Sequence, residues 1–442
     1  MPAAPTSGVP ADEIPDLPPV VRRFCRYVQV DTTSDPTSET VPSTERQKDL
    51  SRVLVDDLRR LGVEDAELDG HGYVYATLPA PVPAAEALPV LALVAHVDTS
   101  PDAPGAGVTP LVHTNYAGGR VALPGDPEVV LDPARQPALA DAVGHDLITS
   151  DGTTLLGSDD KAGVAVIVQL AEDLLRTEAD ARARGERPAP RPTLRLLFTP
   201  DEEIGRGTDH VDLDRLGADV AYTLDGSGTD RLNVETFHAA EARFTVEGVG
   251  VHPGYAKGVM VNAARIAAEI VAGLPRDEAP ETTDGYQGYL HPHTVEATAE
   301  RASVRVLLRD FTEAGMEAKR RHVRDLADRL GAAWPGASVS VEVVESYRNM
   351  RSYIEAADPR AISLAVEAGR TVGIDLEMEA IRGGTDGARL SEKGLPTPNV
   401  FTGGHGFHSR FEWNTVQNLE RALAYTKALV RTWGERGASD LP

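Results

Sequence analysis

The chain has 442 residues, enough for about two or three domains, and its 41% hydrophobic and 25% charged residues are typical of a soluble globular enzyme. Its 68 acidic and 44 basic residues give a formal net charge of −24, which disfavours a phosphate backbone, so we expect no nucleic-acid partner. The single cysteine, Cys25, excludes an internal disulfide. The absence of a signal peptide and of a membrane-length apolar window predicts a cytoplasmic protein with no membrane partner.

The first elements predicted along the chain are a tail and a helix. Residues 1–16 are rich in Pro, Ala and acidic residues, which predicts a disordered tail. Thr44 and Gln47 have the spacing of a capping box. Apolar residues then recur at helical spacing as far as Gly62, which predicts a helix that ends there.

The following elements predict an α/β fold. Short apolar runs indicate buried strands at 73–78, 89–97, 193–199, 219–225 and 397–403. Helical patterns cover 160–176 and 416–433, and the Pro-rich segment 181–192 predicts a polar surface loop. Strands that alternate with helices favour a mixed sheet covered by helices.

A second domain interrupts this pattern. Residues 237–349 predict the order β-α-β-β-α-β, which is that of a ferredoxin-like α+β unit. We therefore expect a main α/β domain formed by 17–236 and 350–442, with the ferredoxin-like domain inserted at 237–349.

Metal-binding side chains follow the predicted strands of the main domain. His96 and Asp98 end one strand, Asp201, Glu202 and Glu203 follow another, and Asp225 ends a third. His405 and His408 follow a fourth, and Asp159 and Asp160 precede a helix. In open α/β sheets ligands bind beyond the carboxyl ends of the strands, so these segments can meet at one edge.

Each segment alone has a simpler interpretation, such as a strand-end histidine, a solvated acidic turn or a helix N-cap. Together they predict a two-metal hydrolase, in which His96, Asp159, Glu203, Asp225 and His408 supply the ligands. If Asp159 bridges, each metal has three protein ligands.

Two further acids have different predicted roles. Asp98 lies on the same side of an extended chain as His96, so it can accept the proton on the other imidazole nitrogen. Glu202 and Glu203 are adjacent, so their side chains diverge, and Glu202 is the predicted general base and later acid.

Several motifs closely resemble the bacterial peptidase T family of the dinuclear zinc aminopeptidase and deacylase clan. They are "HVDTSPD", "LLGSDDKAG", "FTPDEEIG", "YTLDG", "VHPGYAKGVMVNA", "RGGTDGARLS" and "GLPTPNVFTGG". The resemblance extends from about Leu17 to the C-terminus. It implies a tripeptide aminopeptidase that acts on short peptides, by metal-hydroxide attack on the first peptide carbonyl, with two zinc ions per chain. Manganese and cobalt remain open alternatives.

The resemblance also assigns roles to individual residues. One zinc would be held by His96 and Asp225 and the other by Glu203 and His408, with Asp159 as the bridge. Asp98 and Glu202 match the family's catalytic positions. His252 in "VHPG" matches a histidine that the clan presents to the reacting carbonyl.

The inserted domain resembles the clan's lid or dimerisation domain. This leaves open a homodimer through that domain, and action of His252 within its own chain or in a partner. Candidate anchors for the tripeptide carboxylate are Asn262, Arg309 and Arg382.

The chain departs from the family near the last ligand, where it reads "GGHGFHSRFEW". Family members usually have an aromatic residue where His405 stands and a histidine where Phe411 stands. His408 keeps the ligand position, so we expect His408 rather than His405 to bind metal.

Two other functions remain as alternatives. One is another amide hydrolase of the same clan, a dipeptidase or an N-acyl-amino-acid deacylase. The other is a non-catalytic metal- or peptide-binding protein on the same fold, against which the presence of both Asp98 and Glu202 argues.

Overall fold

The computed structural model describes residues 8–437, which form two compact units. The first unit contains residues 8–234, 353–379 and 385–437, and the second contains residues 235–352 and 380–384. Among the described residues, no helix combines the length and the apolar character needed to cross a bilayer.

Ten α-helices are found between residues 8 and 437. In chain order they are α1 Pro19–Tyr27, α2 Gln47–Arg60, α3 Ser158–Ala183, α4 Leu213–Leu216, α5 Ala263–Ala272, α6 Glu313–Ala333, α7 Arg351–Ala357, α8 Arg360–Thr371, α9 Asp386–Glu392 and α10 Val416–Arg436.

Eighteen strands are also found between residues 8 and 437. In chain order they are β1 Val9–Pro10, β2 Glu67–Leu68, β3 Val74–Leu78, β4 Leu91–His96, β5 Leu111–His113, β6 Val121–Leu123, β7 Asp126–Leu131, β8 Leu147–Thr149, β9 Leu194–Thr199, β10 Val220–Gly226, β11 Arg231–Thr236, β12 His238–Glu247, β13 Tyr289–Ala297, β14 Arg301–Asp310, β15 Ser338–Tyr347, β16 Glu377–Ile381, β17 Asn399–Phe401 and β18 Trp413–Thr415.

The main sheet has eight strands in the order β16-β11-β17-β10-β4-β9-β3-β2. Its central strands β17, β10, β4 and β9 are parallel, and β3 and β2 continue the sheet in antiparallel pairing. Every residue of β4 is buried, as expected for a parallel strand covered on both faces. Because the four central strands are parallel, their carboxyl ends lie at the same edge.

Helix α3 forms the centre of the first unit. Residues 160–171 are all buried, and the helix packs against α1, α10, β4 and β10. A helix that is apolar on all sides belongs in a core. This burial fixes the N-terminus of α3, and therefore Asp159, relative to the central strands. A smaller sheet with the order β1-β5-β8-β18 and the β6-β7 hairpin complete the sheets of this unit.

The second unit has the ferredoxin-like chain order β12-α5-β13-β14-α6-β15. Its sheet is antiparallel, with the strand order β13-β14-β12-β15. Apolar residues of α5 and α6, including Ile266, Ile270 and Val323, pack with Phe244 and Val304 of the sheet to form one core.

The predicted disordered tail needs correction. Residues 1–7 lie outside the described residues. Val9–Pro10 forms strand β1, which pairs with β5, and residues 11–13 form a 3₁₀ turn in which Ala11 is buried. The Pro and Ala content of this segment suggested disorder, but pairing with β5 satisfies its backbone.

Two other local predictions also differ from the structure. Helix α2 begins at Gln47 after Arg46 without a side-chain cap, so the predicted capping box of Thr44 and Gln47 is wrong. The Gln47 amide contacts Thr44 only through a 3.4 Å hydrogen bond from Nε2 to Oγ1, and it makes shorter hydrogen bonds with Asp201, donating to Oδ1 at 2.7 Å and accepting from N at 3.1 Å. Residues 380–384, which the prediction placed in the main domain, belong to the second unit, where the Arg382 side chain bonds to residues 283–287.

Candidate active site

The carboxyl ends of the four central strands carry most of the predicted ligands. His96 is the last residue of β4, and Asp225 is the penultimate residue of β10. Glu202 and Glu203 form the 3₁₀ turn that follows β9, and His408 lies in the loop after β17. The sheet edge expected from the sequence is therefore where these side chains meet.

Asp159, in the first turn of α3, lies between the two imidazoles. Its Oδ1 is 3.0 Å from His96 Nε2, and its Oδ2 is 3.4 Å from His408 Nε2. His96 Nε2 is also 3.5 Å from Asp225 Oδ1, and His408 Nε2 is 2.7 Å from Glu203 Oε2. Each oxygen of Asp159 thus faces a different histidine, and each histidine faces a second carboxylate.

Two overlapping groups have the composition of metal sites. The ligand atoms of His96, Asp159 and Glu203 lie within 4.8 Å of one another, and so do those of His96, Glu202 and Asp225. The adjacent residues Glu202 and Glu203 therefore contribute to different groups, as their predicted divergence requires. Glu202 lies as close to its group as a ligand would.

The close spacing of these buried acids raises their pKa values. Burial and the negative charge of Asp159 raise the pKa of Glu203 to about 8 and that of Asp225 to about 6. Burial and the charge of Asp225 raise the pKa of Glu202 well above its ordinary value. Buried carboxylates this close together are stable as anions only when cations neutralise them.

The pKa values of the two histidines are also raised, but by the neighbouring carboxylates rather than by burial. Burial alone would lower the pKa of His96, but its hydrogen bonds with Asp159 and Asp225 raise it well above the ordinary value. Hydrogen bonds with Asp159 and Glu203 raise the pKa of His408 to about 11. The acids around them therefore favour a positive charge at both imidazoles.

One buried atom tests whether the residues fit a metal. The Glu203 side chain is 2% exposed, and its Oε1 is buried without a hydrogen-bond partner among the described residues. A buried carboxylate oxygen without a partner is costly, and a cation would satisfy it. The set of imidazoles and carboxylates is also the donor set that zinc uses. The residues therefore fit a metal centre.

Asp98 contacts both His96 and the turn formed by Glu202 and Glu203. His96 Nδ1 lies 3.1 Å from the Asp98 carbonyl oxygen and 3.3 Å from its Oδ1. The two carboxylate oxygens of Asp98 accept hydrogen bonds from Glu202 N at 3.1 Å and Glu203 N at 3.2 Å. Asp98 is fully buried, so it fixes the imidazole orientation and the turn at the same time.

Several residues support the cluster through contacts that the sequence did not indicate. Asp201 precedes the glutamates, has a positive φ of 58°, and accepts hydrogen bonds from Ser43 N and Gln47 Nε2, both at 2.7 Å. Such a conformation is unfavourable for a non-glycine residue, and these two contacts hold it. The "DEE" motif marked this turn, but nothing local pointed to Ser43.

Two more buried acids support the cluster, and the sequence had pointed to only one of them, Asp160. Asp160 Oδ2 accepts from the backbone of His96 at 3.2 Å, and the motif "DD" was its only signal. Asp386 accepts from the Thr199 hydroxyl at 2.7 Å, and burial raises its pKa to about 7. A third acid, Glu412, lies four residues after His408 and binds the backbone of the Asp159 loop.

The two histidines after β17 have different surroundings. His408 belongs to the cluster and has a φ of 58°, in the left-handed region. The His405 ring stacks on Trp413, with ring centroids 4.3 Å apart. Burial and the charge of Arg231 lower the pKa of His405 to about 4. His405 is therefore a neutral packing group beside Trp413.

Comparison with known proteins gives the family. Residues 234–335 match the peptidase dimerisation domain. A peptidase T from Geobacillus thermodenitrificans is 41% identical over 417 residues, which are 94% of this chain and 98% of that protein. A peptidase T from Salmonella schwarzengrund is 42% identical over 419 residues, 95% of this chain and 99% of that protein. The chain belongs to the peptidase T family.

Solved structures agree on the fold of this peptidase T family member. The aminopeptidase PepT from Bacillus cereus matches with a TM-score of 0.70 and 23% identity, over 94% of this chain and 98% of that one. A dinuclear metal-binding peptidase of the M20 family from Bacillus subtilis matches with a TM-score of 0.63 and 16% identity, over 94% and 98%. The predicted family, fold class and type of enzyme, a peptidase, are confirmed.

The remaining predicted residues of this peptidase T chain lie in the second unit. His252 is exposed in the turn after β12, and its Nδ1 accepts a hydrogen bond from Gly254 N at 3.1 Å. The neutral ring therefore carries its proton on Nε2, which has no hydrogen-bond partner among the described residues. This leaves a donor available to a substrate.

The three candidate anchors all have structural contacts. Asn262 caps α5 by accepting from Ala264 N at 2.9 Å. Arg309 donates to the Ala240 carbonyl at 3.2 Å. Arg382 donates to the carbonyls of residues 285 and 287 at 2.7 and 2.8 Å. These contacts give each residue a role in the fold of the second unit, so a role in substrate binding stays a prediction.

Proposed function

We propose that this protein is a metal-dependent aminopeptidase that releases the N-terminal residue from tripeptides and uses two divalent ions per chain. Zinc suits the imidazole and carboxylate donors best, with manganese or cobalt as alternatives. The observation that carries this proposal is the position of Asp159 between His96 and His408, next to the unpartnered oxygen of Glu203.

The proposed ligand sets are those that the family resemblance implies, and the distances around Asp159 support them. His96 and Asp225 would hold one ion and Glu203 and His408 the other, with Asp159 shared between the two. When bound, two divalent ions polarise a peptide carbonyl and lower the pKa of water.

The proposed roles of the chain's other residues concern protons and orientation. Glu202 takes a proton from the attacking water and passes it to the leaving amine, a role that suits a carboxyl group whose pKa burial and Asp225 raise. Asp98 keeps the His96 ring and the Glu202 turn in position. His252 donates its Nε2–H to the carbonyl oxygen, which becomes an oxyanion when water attacks the carbonyl carbon.

An assay with blocked substrates distinguishes this function from its relatives in the clan. Turnover of a free-amine tripeptide should exceed turnover of the matching dipeptide and of the N-acetylated tripeptide. Preferential hydrolysis of the acetylated peptide would indicate a deacylase, and preferential hydrolysis of the dipeptide would indicate a dipeptidase. Binding without turnover of any of the three would indicate a non-catalytic protein.

The match of residues 234–335 to the peptidase dimerisation domain supports a homodimer. In such a dimer His252 serves either its own chain or its partner. The cytoplasmic location and the absence of a nucleic-acid partner stay predictions from the sequence.

A further inference from the structure

Glu412 is a buried acid whose side-chain hydrogen bonds, among the described residues, all come from backbone N–H groups. Its exposed fraction is 1%, and it lies at the end of the loop that carries His408. Its Oε2 accepts hydrogen bonds from Leu156 N at 2.9 Å and Gly157 N at 2.8 Å, and its Oε1 accepts from Asp159 N at 2.9 Å. All three of these hydrogen bonds therefore come from the segment that contains Asp159.

The backbone of this segment is shaped to receive an anion. Gly157 has a φ of 80°, in the left-handed region, and the N–H groups on either side of it point towards the same carboxylate. Successive N–H groups around a left-handed residue form a concave anion site. Here the anion is a side chain of the chain itself.

Strand β18, which begins directly after Glu412, holds the remaining residue of the segment. Asn414, two residues after Glu412, donates from Nδ2 to the Ser158 hydroxyl at 2.9 Å. The four consecutive residues 156–159 are thus held by two side chains, one directly before β18 and one within it. Because His408 precedes that strand by a few residues, the contacts join the loops of two proposed metal ligands.

We infer that Glu412 is a positioning residue, which locks the Asp159 loop to the His408 loop so that both ligands reach the metal ions with the correct spacing. This inference rests on the proposed metal centre. Groups that orient metal ligands typically contribute about 10-fold to about 100-fold in metal affinity or activity.

Glu412→Gln is the sharpest substitution because it keeps the size of the side chain. An amide has one acceptor oxygen, so its NH₂ must face at least one N–H donor, and the orientation that loses least places it against Asp159 N–H. The bridging carboxylate then loses its backbone anchor. Glu412→Asp keeps the charge but withdraws the carboxylate by about 1.5 Å, the length of one C–C bond.

The control is Glu178→Gln, which also removes a buried carboxylate. Glu178 bonds to Arg191 at 2.8 Å and lies in α3, 19 residues after Asp159, or about 28 Å along the helix. This variant should lose stability without a change at the metal centre.

The experiment measures binding of cobalt(II) to chelator-treated protein by its visible absorption, with thermal unfolding and the KM and kcat for a tripeptide in parallel. We expect Glu412→Gln to bind cobalt about 10-fold to about 100-fold more weakly, with an altered spectrum and a lower kcat at nearly unchanged KM. Glu178→Gln should keep the wild-type cobalt affinity and spectrum.

The results separate this inference from the proposed function. Wild-type protein that binds no cobalt and turns over no peptide would remove the proposed function itself. The positioning role would be overturned if the wild-type protein binds cobalt and hydrolyses the tripeptide while the Glu412 variants keep the same cobalt affinity. If Glu412→Gln does not fold, Glu412→Asp provides the same comparison.

Discussion

Asp98→Asn perturbs the proposed centre without touching a metal ligand. In the structure both carboxylate oxygens of Asp98 accept a backbone hydrogen bond, one from Glu202 N and one from Glu203 N. An asparagine keeps one acceptor, so one of these N–H groups would face an NH₂. A buried donor left without its partner costs about 1–3 kcal/mol, or about 5-fold to 150-fold in an equilibrium constant. The substitution also removes the carboxylate 3.3 Å from His96 Nδ1.

The expected result is a loss of metal affinity of about 10-fold to about 100-fold, with a fall in kcat. The assay is competition for metal with a chelator of known affinity, followed by tripeptide turnover at saturating metal. Asp57→Asn is the matched control, because Asp57 is a buried aspartate that accepts from Tyr27 Oη at 2.7 Å outside the cluster. Wild-type affinity and turnover in Asp98→Asn would refute the reasoning.

Four further outcomes are expected. Glu202→Gln should lower kcat by about 10²-fold to 10⁴-fold with nearly normal metal content, whereas Glu203→Gln should lose metal, as elemental analysis would show. His408→Ala should reduce the metal stoichiometry and His405→Ala should not, and the reverse result would reassign the ligand. His252→Ala should lower kcat by about 10²-fold to 10³-fold with all metal retained, and wild-type kcat would remove its proposed role. Metal binding at pH 7 should release protons, because the carboxylates of Asp159 and Glu203 raise the pKa of His408 to about 11 and so keep this imidazole protonated in the metal-free protein. Affinity should therefore rise with pH, and calorimetry in buffers of different ionisation enthalpy that detects no proton release would contradict this.

The ends of the central strands could be predicted from the sequence because each apolar run and the polar residue that ends it lie within one short segment. The apolar run before His96 and the run before Asp225 became the parallel strands β4 and β10. Parallel strands place their carboxyl ends together, so chain order and strand type were sufficient to bring these residues to one edge. The positions of the proposed ligands thus follow from short-range patterns and one topological rule.

The supporting contacts could not be predicted in the same way. Asp201 bonds to Ser43, and Glu412 bonds to Leu156, across long separations in the chain. A buried polar residue must find a partner, but its own neighbours do not say which distant segment supplies it. Gln47 illustrates this, since its helix-cap spacing predicted a local contact, whereas its shortest hydrogen bond, 2.7 Å long, is with the distant Asp201.

A similar limit applies to the loops and the domain boundary. The segment 181–192 predicts a polar surface loop, yet Arg191 is buried in a pair with Glu178. Residues 380–384 return to the second unit because Arg382 bonds to the 283–287 segment and stacks on Phe237. Both features depend on pairing between a charge and a distant partner, which hydrophobic periodicity does not report.

The most direct test of the two-metal aminopeptidase is a titration of chelator-treated protein with zinc, in which free-amine tripeptide turnover and bound metal are measured on the same samples. The proposed centre predicts no turnover without metal, recovery as zinc is added, and a plateau when two ions are bound per chain. Full turnover by protein with no detectable metal would contradict the account.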